Sequence, residues 1–296
     1  MRELNVLSLC DGIATGRYSL EQANIPVNKY YACEIEKGSI QIAQKNYPDI
    51  VQLGDLTLLD TSVIEEKIDL MMFGFCCQSL SITQSKTRKD LAGKSGIFWD
   101  CLRIMEEVKP TWFLVENVAS MKDECKDIIS QYLGVEPIFI NSNCFSAQDR
   151  ERYYWTNIPV NDWKSLKPCG QVLRDVLDTE VADKYYYTCD YDFHGLDKKT
   201  CATLHINGHE ILKRVTSPDF TCPTLTACTG GNHQKKVMDK KGPRKLTPTE
   251  YERLQTLPVG YTDAKVSATT RYNALGNGWT ADVITWILRG ITWEEK

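Results

Sequence analysis

The stretch Leu4-Asn5-Val6-Leu7-Ser8-Leu9-Cys10-Asp11-Gly12-Ile13-Ala14-Thr15-Gly16 decides the fold. Leu4 to Leu9 is an apolar run of strand length, and small residues follow it at once, ahead of a helical pattern over about Arg17 to Asn24. Working outward, a second strand is expected from Tyr30 to Ile35 and a helix from Lys37 to Tyr47, stopped by Pro48. Strands at Ile50 to Leu53 and Leu70 to Phe75 come next, then a polar stretch from Ser81 to Ser95. Ile97, Phe98, Cys101, Leu102 and Met105 have helical spacing ahead of Pro110, and Trp112 to Val115 reads as a buried strand. A helix near Met121 to Leu133 and strands at Pro137 to Asn141 and Arg152 to Ile158 close the series. Such alternation predicts an α/β fold: a doubly wound, mostly parallel sheet that binds ligands where strand carboxyl ends open into loops.

From about Lys164 to Pro243 the periodicity fails among scattered Gly, Pro, Asp and Asn, which reads as a loop-rich insert or small domain. Regularity returns at Thr247-Pro248-Thr249-Glu250, a capping box with proline at the first helical position. A last helix is expected over Thr280 to Arg289, closed by Gly290. The chain has 296 residues, 42% hydrophobic and 25% charged, a composition that excludes disorder and fibres. No apolar run is long enough to span a bilayer, and Met1-Arg2-Glu3-Leu4 does not open a signal peptide, so a non-secreted protein of the cytoplasm or nucleus, with no membrane partner, is expected. The twelve cysteines are then read mostly as small core residues rather than disulfides.

Net charge is −4, yet residues 198–245 carry ten basic side chains against Glu210, Asp219 and Asp239, a local +7 on a body of −11. One face of such a protein meets phosphates, unless the segment is simply a solvated basic loop. Within the first half, Asp11 to Gly16 lets backbone approach a ligand at a helix start, although it is not GxGxxG. Glu34 ends the second strand, where a carboxylate can accept both ribose hydroxyls, and Asp55 follows the third, suited to an adenine amino group. Each alone is a tight turn or a surface acid; in this order they favour an adenosine-containing cofactor without a pyrophosphate cradle. Gly74-Phe75-Cys76-Cys77-Gln78-Ser79-Leu80-Ser81 sets a thiol at the lip of the sheet, followed by the basic Lys86, Arg88, Lys89 and Lys94, and cations of that kind lower a thiol's pKa. Glu116-Asn117 ends the fifth strand at the same edge, and Gln148-Asp149-Arg150-Glu151-Arg152 offers a guanidinium beside it.

These motifs, with Thr224-Leu225-Thr226-Ala227, Arg244-Lys245-Leu246-Thr247-Pro248-x-Glu250 and Leu275-Gly276-Asn277, stand in the order of DNA (cytosine-5)-methyltransferases, which the sequence resembles over nearly its whole length. Asp11 to Gly16 is most similar to the vertebrate de novo enzymes, the compact C-terminal half to bacterial and phage enzymes. The resemblance implies a Rossmann-like class I fold, with a catalytic and cofactor domain at 1–163, a target-recognition domain at 164–245, and a hinge helix and C-terminal helix at 246–296 returning to the first domain. It implies that Cys77 attacks C6 of a cytosine flipped out of duplex DNA, with Glu116, Arg150 and Arg152 completing the catalytic set. S-adenosylmethionine, left as S-adenosylhomocysteine, would be held by Cys10, Asp11, Gly12, Ile13, Thr15, Gly16, Glu34, Ile35, Asp55, Leu56, Cys76, Asn277, Gly278 and Trp279. Double-stranded DNA would meet Gln78, Ser81, Lys86, Arg88, Lys89, Thr224, Leu225, Lys235 and Lys236. A monomer in the cytoplasm of a bacterial or phage-infected cell is implied, in a restriction–modification setting whose companion would be a cognate restriction endonuclease.

Two departures stand out: Cys76 replaces the proline that usually precedes the nucleophile, and Gly278-Trp279 follows Asn277 where the family usually has serine. The first frees φ and adds a second thiol. Three alternative readings fit part of the sequence. A tRNA cytosine-5-methyltransferase shares the fold, but Thr224-Leu225 and Arg244-Lys245 resemble the DNA-directed form. A silent DNA-binding relative would not need Cys77, Glu116 and Arg152 together. A zinc module could use Cys201-x3-His205-x3-His209 with Cys222 and Cys228, yet no CxxC accompanies them, and no metal is expected.

Overall fold

The computed structural model describes residues 2–75, 96–160, 162–228 and 230–292. They form two compact units, the first built from the described residues up to Ile140, residues 151–165 and those from Ile284 on, the second from Asn141–Arg150 and Leu166–Val283.

In the first unit β1 (Leu4–Leu9), β2 (Val27–Cys33), β3 (Val51–Gln52), β4 (Leu70–Gly74), β5 (Trp112–Val118), β6 (Ile138–Asn141) and, after a two-residue strand β7 (Gln148–Asp149) that pairs elsewhere, β8 (Glu151–Thr156) make one seven-stranded sheet. Helices α1 (Thr15–Gln22), α2 (Lys37–Asn46), α3 (Gly96–Val108) and α4 (Asp123–Leu133) alternate with the strands. The order is β3-β2-β1-β4-β5-β8-β6, with β1 parallel to both β2 and β4, β4 parallel to β5, and β8 antiparallel to β5. This is the expected doubly wound, mostly parallel sheet. The chain winds outward to β3 and returns to β4 on the other side of β1, so the order reverses between β1 and β4, where such sheets open a ligand crevice. Leu4, Val6, Leu7 and Leu9 are fully buried, which is why β1 is a near-continuous apolar run. Leu7, Met71, Phe73, Val115 and Trp155 pack with Phe98, Cys101 and Ile104 of α3 and Ile129 of α4 in one core. The Trp155 indole donates to Ser130 Oγ at 2.9 Å, which satisfies its buried N–H.

The second unit is more regular than its sequence. Strands β9 (Tyr191–Phe193), β10 (Thr200–Leu204), β11 (Arg214–Thr216), β13 (Lys236–Asp239) and β14 (Gly242–Lys245) form a sheet ordered β14-β13-β11-β10-β9, while β12 (Cys222–Pro223) pairs with β7. A one-turn helix α5 (Glu210–Lys213) joins β10 to β11, and α6 (Pro248–Leu254), α7 (Ala268–Asn277) and α8 (Ala281–Leu288) follow the sheet. The expected small, loop-rich domain is there, and the sheet within it was not visible in the sequence because strands of two to five residues are too short to show a period. Pro243 sits in the edge strand β14, a place where a sheet tolerates proline. The segment 246–296 also does not return whole to the first unit: α6 and α7 stay in the second, and the chain rejoins the first only from Ile284. The reason is α6's own anchoring, since Tyr251 accepts from the Lys235 amide at 2.7 Å and stacks edge-on with Tyr272 of α7.

The capping box is as the sequence predicts: Thr247 accepts from the Glu250 amide, and Glu250 accepts from the Thr247 amide at 2.7 Å. Glu250 is fully buried and also takes both terminal nitrogens of Arg244, itself fully buried, at 2.8 and 2.7 Å. Glu250→Ala leaves that guanidinium without its main counter-charge, and the expected loss is about 3–5 kcal/mol, read from chemical denaturation monitored on the second unit's tyrosines.

Candidate active site

The turn after β1 is built by three left-handed residues, Cys10 (φ 51°), Gly12 (φ 63°) and Ala14 (φ 60°). Only glycine takes that conformation freely, so Cys10 and Ala14 carry strain of about 1–3 kcal/mol each, the kind that surrounding structure maintains at a site. The strained turn folds onto β2, with the Asp11 amide donating to Cys33 O at 3.1 Å and the Gly12 amide to Glu34 Oε2 at 2.7 Å. Glu34 Oε1 accepts from the amides of Ile35 and Glu36 at 2.8 and 2.9 Å, so three backbone N–H groups orient this half-buried carboxylate. A Cβ on Gly16 would lie 2.7 Å from Met72 Cε and 3.1 Å from the Tyr30 hydroxyl, so the Met72 side chain would have to move aside.

Asp11 is buried and accepts from the Tyr30 hydroxyl at 2.7 Å through Oδ1, while its Oδ2 and Thr15 Oγ1 are buried without a hydrogen-bond partner among the described residues. Burial pushes the Asp11 carboxyl up to about 6; the Ser8 and Tyr30 hydroxyls pull it back, and Glu34 adds a smaller upward push. Asp55 is exposed and uses Oδ1 to cap the next turn, accepting from Thr57 N and Oγ1 at 2.9 and 2.8 Å. Leu56 beside it is buried, whereas Ile35 is 65% exposed, a bare apolar side chain next to Glu34. Ile13 is buried under the turn. Cys10, Asp11, Gly12, Ile13, Thr15, Gly16, Glu34, Ile35, Asp55 and Leu56 thus all belong to the first unit, around the carboxyl ends of β1, β2 and β3.

Cys76, Cys77, Gln78, Ser81, Lys86, Arg88 and Lys89 lie outside the described residues. What borders them is described. Register sets Glu116 of β5 beside Gly74 of β4, and Val118 opposite Arg152 of β8, so Glu116 and Arg152 are diagonal neighbours on one face of the sheet. Their side chains form an ion pair at 2.6 Å with 11% exposure each. On the other face Asn117 is buried and bridges strands, its Nδ2 donating to Phe75 O at 3.3 Å and its Oδ1 accepting from the Val118 amide. Asn117 was not among the expected site residues. Its position after Glu116, in a strand of otherwise apolar residues, was the available signal.

Arg150 corrects the expectation of a catalytic guanidinium. It is buried and donates to Leu225 O and Gly278 O at 2.9 Å each and to Gly276 O at 3.4 Å. The physical reason is that Arg150 stands between β7, which pairs with β12, and β8, which pairs with β5, so the chain changes sheets at this residue. Leu225, expected against DNA, is buried, with its amide on Gln148 Oε1 and its carbonyl on Arg150. The Thr224 hydroxyl, placed with it, is likewise turned inward onto Asp149 O at 2.6 Å. A Cβ on Gly276 would lie 2.3 Å from the Thr226 carbonyl, which explains glycine in the Leu275-Gly276-Asn277 motif. Asn277 is exposed, and Gly278 and Trp279 are half-buried. Lys236 is 3% exposed with its ammonium on the carbonyls of Asn232 and Gln234, so it cannot be the free phosphate contact expected of it, while Lys235 is half-buried. The zinc alternative fares no better: Cys201, Cys222 and Cys228 are buried, His205 pairs with Asp192, and no cluster of metal-ligating side chains occurs among the described residues.

The family model described as C-5 cytosine-specific DNA methylase matches residues 4–293. The chain is 27% identical to the Type II methyltransferase M.NlaX of Neisseria lactamica, covering 94% of this chain and 93% of that one. It is 25% identical to the Type II methyltransferase M.HpaII of Haemophilus parainfluenzae, over 88% of this chain and 82% of that one. Among solved structures, the S. pombe Dnmt2 methyltransferase superposes with a TM-score of 0.72 at 19% identity, covering 97% of this chain and 98% of that one, a likeness of fold.

The Asp11 carboxyl has a testable linkage. Because its folded pKa is raised from 3.8 to about 6, the native state holds the extra proton between those values, so the stabilisation is fully present below pH 4 and is lost as pH rises to about 6. Asp11→Asn should flatten the stability profile in that window by an amount on the order of 3 kcal/mol, measured by denaturant titrations of both proteins at stepped pH.

Proposed function

Because this chain belongs to the C-5 cytosine-specific DNA methylase family, we propose that Cys77 is the nucleophile of its DNA cytosine-5 methylation, that Glu116 and Arg152 hold the target cytosine, and that S-adenosylmethionine lies against the Asp11–Gly16 turn, Glu34 and Asp55. The observation that carries this reading is the Glu116–Arg152 pair at 2.6 Å, set by strand register beside Gly74, three residues before Cys77.

C5 of cytosine is a poor nucleophile within an aromatic ring. Addition of the Cys77 thiolate to C6 forms a C–S bond and moves the C5=C6 electron pair toward C5. Glu116, beside Arg152, accepts from the exocyclic amino group and, in its protonated form, donates to N3, so that the proton passed to N3 lets the ring hold the displaced pair as an enamine. S-adenosylmethionine, when bound, supplies an electrophilic methyl group on a sulfonium. Loss of the C5 proton to a base and departure of the Cys77 sulfur restore the ring. C6 is inaccessible inside a duplex, so the base must be flipped out, which costs a few kcal/mol. Asn117 fastens the end of β4 from which the Cys77 segment leaves and acts as a positioning residue.

The donor set suits the cofactor. Glu34 is an oriented carboxylate of the kind that accepts ribose hydroxyls, Asp55 adds an exposed carboxylate, and Ile35 offers a flat base an apolar side chain. Asp11 Oδ2 and Thr15 Oγ1 supply unpartnered polar atoms at the start of α1. Asn277, Gly278 and Trp279 are assigned to the same cofactor. DNA recognition is assigned to residues 164–245, which from Leu166 on belong to the second unit, and phosphate contacts to Lys86, Arg88, Lys89 and Lys235. Among the described residues no helix is long and apolar enough to cross a membrane. The relatives named Type II methyltransferases suit a restriction–modification setting with an accompanying endonuclease, and a cytoplasmic monomer is proposed from the sequence alone.

The reaction is tested by incubating the protein with S-adenosylmethionine and separate DNA and RNA pools and identifying modified nucleosides by mass spectrometry, with 5-methylcytosine expected from DNA alone. Cys77→Ser should abolish turnover with cofactor affinity close to that of the unaltered protein, while Cys76→Ser should retain most of the activity. Methylation by the Cys77→Ser protein would move the nucleophile elsewhere. Calorimetry should show S-adenosylmethionine binding weakened by about 1.5–3 kcal/mol in both Glu34→Ala and Asp55→Ala, the range for hydrogen bonds to a charged group. Unchanged affinity in both would relocate the cofactor.

A further inference from the structure

Strands β13 and β14 set Lys236 directly opposite Lys245. Like charges in that register are destabilising. Both ammonium groups stand over one ring, 5.7 and 5.5 Å from the Tyr187 centroid. Lys236 is 3% exposed, and its Nζ donates to Asn232 O at 2.7 Å and Gln234 O at 3.0 Å, acceptors without net charge. Lys235 adds a third, half-buried ammonium. Burial and the adjacent Lys235 and Lys245 charges pull the Lys236 amine down to about 8, and burial lowers Lys235 as well.

Among the described residues no carboxylate pairs with any of these three lysines. Asp239 and Glu250 are both committed to Arg244, at 2.6 and 2.7 Å. The Tyr187 ring and the two carbonyls favour these ammoniums, but they supply no negative charge against the cost of desolvating like charges together. The cluster's charge complements an anion, and the anion that the family's reaction brings is the DNA backbone. We infer that Lys236 and Lys245, both over Tyr187, together with the adjacent charge of Lys235, form an anion site for a backbone phosphate of duplex DNA. Lys235 and Lys245 are the contacting amines, and Lys236 is the fixed charge behind them. This rests on the DNA-methylating reading above and goes beyond the basic pair Lys235-Lys236, of which one member is internal and to which Lys245 is added.

The test uses the whole protein with a fluorescent duplex oligonucleotide over a salt series, comparing Lys235→Met, Lys245→Met and the charge-keeping Lys245→Arg. Each Met variant should flatten the slope of log K against log salt by about one and weaken cognate and random duplexes by similar factors, while Lys245→Arg keeps the slope. Without DNA, both Met variants should melt at or above the temperature of the unaltered protein, because a repulsion is relieved; melting below it would overturn the claim of uncompensated charge. Inorganic phosphate serves as a separate probe. If it raises the melting temperature of the unaltered protein alone while the DNA slopes are unchanged, the site takes free phosphate and the DNA assignment falls. Flattened slopes with single-stranded RNA but not with duplex DNA would equally overturn it. Unchanged slopes in a protein that still methylates DNA refute the cluster alone, whereas a protein that methylates no DNA refutes the reading on which the cluster rests.

Discussion

The buried Arg150 guanidinium, spread over the carbonyls of Leu225, Gly276 and Gly278, is the joint on which the second unit depends. A guanidinium presents five donors in a rigid plane, and here it satisfies backbone acceptors from the Leu225 loop and from the end of α7, distant from each other in sequence. Gln148 works beside it, donating to Leu254 O and accepting from the Leu225 amide, and Asp149 receives Asn143 and Thr221. Three consecutive polar residues thus replace an apolar core at the place where the chain leaves one sheet for another. Gly276 completes the arrangement, because only hydrogen leaves room for the Thr226 carbonyl against α7.

In the first unit the governing feature is negative charge held in small space. Asp11, Glu34 and Asp55 together help burial raise the Cys33 thiol to about 12. Three carboxylates at neighbouring strand ends repel one another, and the fold tolerates this because Glu34 is held by three amides and Asp55 caps a turn. Such a field favours a cationic ligand with hydroxyl and amino donors. The sulfonium and ammonium of S-adenosylmethionine fit it. The strained backbone at Cys10 and Ala14 keeps the turn flat against β2.

Much of this was legible in the residues themselves. Each strand of β1 to β5 was found within a few residues, because buried parallel strands are continuous apolar runs that turn residues interrupt sharply. The helix at Thr247 was legible to the residue, since a capping box is a local hydrogen-bond pattern written in four positions. The sheet of the second unit was hidden for the opposite reason. Its strands are short, and Gly242-Pro243-Arg244-Lys245 has no apolar period at all, so pairing with β13 makes it a strand.

The order of elements, the acids at the strand ends and the helix caps are readable from the residues alone, because each depends on neighbours a few positions away. Only the tertiary structure decided which charged side chains face inward. Arg150 and Arg152 are two residues apart, yet one is spent on carbonyls and the other meets Glu116, and Lys235 and Lys236 part in the same way. For the two arginines, partners at separations of 36 to 126 residues make that choice, and no local pattern encodes a contact at that distance; Lys236 bonds carbonyls two and four residues back, but it is the pairing of β13 and β14 and the Tyr187 ring that enclose it.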